Sequence, residues 1–145
     1  MSNQIDHFCN ELNNLDPEKS NGLVADLYDL VDIIEKEEDI SLTFKPIFDF
    51  FEKFPNEDLG IPGPLVHLLE NHYPKYMLTL LSSIKNKPTY MSVQMLNRVM
   101  NSDLPEEKRE NYLSLLQSVA LSDSDDLVMK ENALEIYNNH IQKGS

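Results

Sequence analysis

The chain has 145 residues, enough for one domain with a real core, and at 41% hydrophobic and 26% charged its composition is that of an ordinary globular protein. Its charge is not ordinary: 25 Asp and Glu stand against 12 Lys and Arg, for a net charge of -13. Such sparse cations disfavour contact with nucleic-acid phosphates or an anionic membrane surface, and a basic protein is the partner such a surface would steer in.

Apolar residues recur at helical spacing along almost the whole chain. Ile5 to Leu15 reads as a short amphipathic helix with Ile5, Phe8, Cys9 and Leu12 inward, ended near Asp16-Pro17. Gly22 to Glu38 is the clearest helix, with Leu23, Leu27, Leu30, Val31 and Ile34 as its stripe. Thr43 to Phe54 is a third, rich in aromatics (Phe44, Phe48, Phe51, Phe54). Pro46 fits its first turn, where the missing N–H does little harm, and Pro55 closes it. Asn56 to Pro64 carries turn residues. A helix follows from Pro64 to Asn71, and another from Tyr76 to Ile84 after Pro74. Asn86-Lys87-Pro88 breaks the chain, and Thr89 is a good N-cap for Tyr90 to Asn101. Pro105 is expected at the first position of a helix reaching Leu121, with Asp103 as a cap and Glu106 and Glu107 in the electropositive first turn. Asp125 to Gln142 forms the last helix.

No segment alternates with period two, so the expected fold is all-α: seven or eight short helices in antiparallel hairpins, one domain over residues 1–143. Gly144-Ser145 reads as a cloning remnant without a role. Leu78 to Ile84 matches Leu113 to Val119 at a displacement of 35 residues, a period that suits stacked helical hairpins of HEAT-like kind or a coincidence between two Leu-rich helices.

No residues form a recognisable catalytic, cofactor or metal constellation. His67 and His72 are five residues apart, which at about 100° per residue turns the rings away from a shared zinc-binding face. Gly60-Ile61-Pro62-Gly63-Pro64 is glycine-rich, but its prolines lack the N–H groups a phosphate cradle needs. Cys9 is the only cysteine, has no basic neighbour, and suits a reducing compartment and a small core position. Met1 to Asn10 has neither a basic nor an apolar leader region, so a cytoplasmic protein is expected, and without a catalytic constellation a non-enzymatic one.

The sequence points to one candidate binding surface above others. On a helical wheel, Asp29, Asp32, Glu35 and Asp39 share an arc beside the apolar stripe, with Tyr28 inside it. Like charges at this spacing repel by a few tenths of a kcal/mol per pair, about what an alternating ladder would gain. Asp123, Asp125 and Asp126 form a second cluster, ranked lower because acids at a helix start already suit the dipole.

Two stretches carry a resemblance. Gly60-Ile61-Pro62-Gly63-Pro64-Leu65-Val66-His67-Leu68-Leu69-Glu70 and the later Lys87-Pro88-Thr89 through Met95-Leu96-Asn97-Arg98 to Asn101-Ser102 resemble small all-helical immunity proteins of bacterial polymorphic toxin systems, including contact-dependent growth inhibition. The likeness spans about Phe44 to Val119. It implies a cytosolic protein that blocks a cognate basic toxin, often a nuclease, by one-to-one binding over its cleft. The shared motif is expected to be scaffold: Pro62 and Pro64 stiffen a turn, Thr89 caps, Met95, Leu96 and Val99 pack, and Asn97 and Arg98 tie to the Glu70-bearing helix. Two rivals remain: a helical-repeat adaptor for another basic protein, and a small enzyme with an acidic site. A monomer is the simplest expectation.

Overall fold

The computed structural model describes residues 3–143, so Gly144-Ser145 lies outside the described residues. Eight α-helices and two 3₁₀ turns follow one another, with no strand among the described residues: α1 (Asn3–Asn14), α2 (Leu23–Ile34), α3 (Phe44–Lys53), α4 (Pro64–Glu70), α5 (Met77–Asn86), α6 (Tyr90–Met100), α7 (Glu106–Ala120) and α8 (Leu127–Lys143). The chain divides into two compact units, residues 1–80 and 81–145.

In the first unit α1 packs on α2 and α3, and α2 packs on α4. Ile5, Phe8 and Leu12 are buried on α1 as their spacing predicts, and Cys9 is half-buried beside them. α3 supplies an aromatic part of the core. Phe44, Ile47, Phe48, Phe50 and Phe51 are all buried, which covers nearly half of its circumference. Phe48 and Phe51 meet edge to face at 5.5 Å, the favoured aromatic arrangement.

The loop before α4 is a backbone crossing. Gly60 and Gly63 both hold positive φ, 104° and 94°. A Cβ on Gly63 would lie 1.9 Å from the Leu59 carbonyl oxygen, and one on Gly60 would lie 2.4 Å from the Gly63 Cα. Asp58 fixes the entry by accepting the Gly60 N–H at 3.0 Å. These glycines are therefore a folding requirement, and Pro64 starts α4 with the φ a helix needs.

In the second unit α6, α7 and α8 pack on one another, with α7 against α8 the most extensive pair. Thr89 caps α6 as expected. Its Oγ accepts the Ser92 N–H at 3.1 Å, and the Ser92 hydroxyl accepts the Thr89 N–H at 3.0 Å. This is a capping box with Ser in place of the usual Glu or Gln. Both side chains are buried, so no water replaces a lost bond. We expect Thr89→Ala to lower unfolding free energy by about 1–2 kcal/mol, and Thr89→Ser to restore most of it, read from urea midpoints.

Two helix ends depart from expectation in a way that reassigns residues. α2 ends at Ile34, four residues before Glu38. The following Glu35, Glu37, Glu38 and Asp39 would crowd negative charge onto the electronegative end of a longer helix. α7 starts at Glu106 with Pro105 as its N-cap residue, and no side-chain hydrogen bond from Asp103 or any other residue caps it. In the 35-residue likeness Ile84 and Val119 occupy matching positions and both are buried, whereas the fully buried Leu80 and Leu116 occupy different ones.

Candidate interaction surfaces

With Leu27, Leu30, Val31 and Ile34 buried, α2 turns its opposite face to solvent. Tyr28, Asp32 and Glu35 line up at i, i+4 and i+7, with Asp29 beside them. Tyr28 is 49% exposed and the three acids are exposed. Among the described residues, none of these three carboxylates has a hydrogen-bond or ion-pair partner. The unit that bears this face also bears most of the charge: sixteen acids and five bases in residues 1–80, against nine and seven in residues 81–145.

Asp39 does not belong to that face. It lies beyond the end of α2, and its carboxylate accepts the Ser41 N–H at 3.0 Å to open the 3₁₀ turn Ser41–Thr43. That bond holds its pKa below the usual carboxylate value. Asp39 thus has a local folding role that the helical wheel concealed. Asp126 is similar: it caps α8 by accepting the Met129 N–H at 3.0 Å. Asp123 and Asp125 are exposed and without partners among the described residues.

An open groove of about 610 Å³ lies among the end of α6, the start of α7 and the end of α8, lined in part by Leu113, Ile141, Glu106, Glu110 and Lys143. Its one guanidinium is committed to the fold. Arg109 donates to the carbonyls of Met100 at 3.1 Å and Ser102 at 3.3 Å, placing a cation on the C-terminal end of α6. His140, buried at the back of the groove, shares a 2.8 Å hydrogen bond through Nε2 with Asn97 Oδ1. Asn97 therefore ties α6 to α8.

Burial, and then the charges of Lys143 and Arg109, hold the His140 pKa below its ordinary value. The folded chain therefore keeps His140 neutral at a pH where the unfolded chain already binds a proton. Its contribution to stability is present above about pH 6.5 and is lost as pH falls toward the folded pKa. We expect the urea midpoint to drop between pH 7.5 and 5.5, and His140→Gln, which can still donate to Asn97, to flatten that drop.

Cys9 is inert by the same reasoning. Burial, and then the Asp6 carboxylate, push its thiol above the usual value, away from a reactive thiolate.

The outer side of α8 went unnoticed in the sequence. Leu127, Leu134 and Ile141 recur there every seven residues and all are exposed, opposite the buried Met129, Ala133, Ile136 and His140. The signal in the sequence is a second apolar stripe at seven-residue spacing, interleaved with acids.

Among the described residues no cluster of His, Cys, Asp and Glu is placed to hold a metal ion, and no helix is long and apolar enough to cross a membrane. Compared with family models, curated proteins and solved structures, the chain matches none.

Proposed function

We propose that this chain is a non-enzymatic immunity protein that neutralises a cognate basic toxin, such as a nuclease, by one-to-one binding in the cytosol. The observation that carries the reading is the outward face of α2: a half-exposed Tyr28 among Asp29, Asp32 and Glu35, whose carboxylates have no partner among the described residues. Three like charges left unpaired on one helix face work slightly against the helix, so a role in folding does not account for them. A cleft built to hold phosphates would accept such carboxylates, and an aromatic ring can anchor the contact while the acids form its rim. The resemblance of the Gly60–Glu70 and Lys87–Ser102 stretches to immunity proteins points the same way.

The test is genetic and biochemical together. Expressing the product of the neighbouring gene should arrest growth, and co-expression of this chain should restore it and yield a co-purifying one-to-one complex. A neighbouring product that is harmless, or that arrests growth despite this chain and fails to co-purify, would remove the toxin reading.

A further inference from the structure

We propose that the outer face of α8 is a docking surface for a basic amphipathic helix of another protein. Single exposed apolar side chains are ordinary on protein surfaces. A row of them at seven-residue spacing is different, because that is the spacing a second helix fills. Leu127, Leu134 and Ile141 are 65%, 47% and 43% exposed, and Val128, next to the first of them, is 66% exposed. Folding does not need this row, since the opposite face of α8 already supplies the core with Met129, Ala133, Ile136 and His140.

Charge selects the occupant. Glu131 and Glu135 interleave with the row and Asp125 precedes it, all exposed and without partners among the described residues. Lys130 borders the other edge as the only cation within the span 125–142. A helix carrying leucine-type side chains flanked by lysine or arginine matches both the row and its acids. A second copy of the chain matches less well. Antiparallel pairing about a two-fold axis would set Glu131 and Glu135 beside their own copies, between molecules of net charge -13. From Leu127 to Ile141 the row is about 21 Å long, room for roughly four turns of a partner helix.

This inference goes beyond the immunity reading: it concerns the other unit of the chain and requires no toxin. The probe is a synthetic peptide of about four helical turns with Leu at seven-residue spacing and Lys on both flanks, beside a scrambled peptide of the same composition. Both are titrated into the full chain by calorimetry and by amide chemical-shift mapping. The in-register peptide should bind at least about tenfold tighter than the scrambled one, with shifts concentrated over residues 125–142. The Leu127→Ser/Leu134→Ser double variant should lose that margin while keeping its helical circular dichroism, and Glu131→Lys/Glu135→Lys should weaken binding of the in-register peptide. Equal affinity for the two peptides, or shifts centred elsewhere, would overturn the proposal. So would a wild-type dimer in sedimentation equilibrium that the double leucine variant dissolves, since the face would then belong to a second copy. None of these results bears on the α2 face.

Discussion

Replacing Gly63 by Ala should lower the unfolding free energy by about 4 kcal/mol, the largest loss expected from any single methyl group added to this chain. Two effects combine. At φ 94° and ψ 175°, Gly63 occupies a backbone region that residues with a Cβ essentially do not enter. The added carbon would also sit 1.9 Å from the Leu59 carbonyl oxygen, an atom of backbone that no side-chain rotation can move. Leu59 is buried, so relief requires pulling the base of the loop from the core and with it the start of α4. Gly22→Ala is the control. Gly22 has an extended backbone at φ -170°, and its Cβ would meet only the Ala25 Cβ at 3.8 Å. It should cost less than about 1 kcal/mol. Urea denaturation of both variants separates them, and similar midpoints would mean that the loop is not the close crossing described.

Much of the fold was legible because it rests on local chemistry. The period of the apolar residues located all eight helices, and the Thr89 cap could be read from the residues around it. Pro46 was placed by the rule that the first turn of a helix has no use for an N–H, and the same rule set Pro105 one residue too far in, since it is the N-cap residue of α7. The errors have one source. Helix ends are settled by competition between backbone and side chains, which periodicity does not record. The wheel carried α2 through to Asp39, but the chain turns after Ile34 and gives Asp39 to the Ser41 N–H. Asp126 was grouped with its acidic neighbours by charge, while its carboxylate closes the first turn of α8. Which acids remain without a local task depends on these small motifs, and only three-dimensional structure sorts Asp29, Asp32 and Glu35 from Asp39 and Asp126. The bond from Asn97 to His140 escaped sequence reading for a related reason: the two residues are 43 apart, and no local pattern announces it.

The second large effect concerns association with the basic toxin proposed as partner. Long-range attraction depends on the summed charge of a face and is screened by salt, whereas dissociation depends on contacts already made. Replacing Asp29 and Asp32 by Asn and Glu35 by Gln should therefore slow association at low salt by about tenfold or more and flatten its salt dependence. Stability should stay within about 0.5 kcal/mol of wild type or rise slightly, because like-charge repulsion is removed and no hydrogen bond is lost. Tyr28→Ala should act on the other rate. If the ring is the buried anchor, its loss removes about 2 kcal/mol of binding energy, seen chiefly as faster dissociation.

The most direct measurement of the central claim is stopped-flow association of the toxin with wild type, the triple neutralised variant and Tyr28→Ala, each at low and at physiological salt. A slow, salt-insensitive on-rate is expected for the triple variant, and a near-normal on-rate with a raised off-rate for Tyr28→Ala. Wild-type association and dissociation rates for both variants at low salt would contradict that claim, and would make the outward face of α2 an ordinary solvated surface.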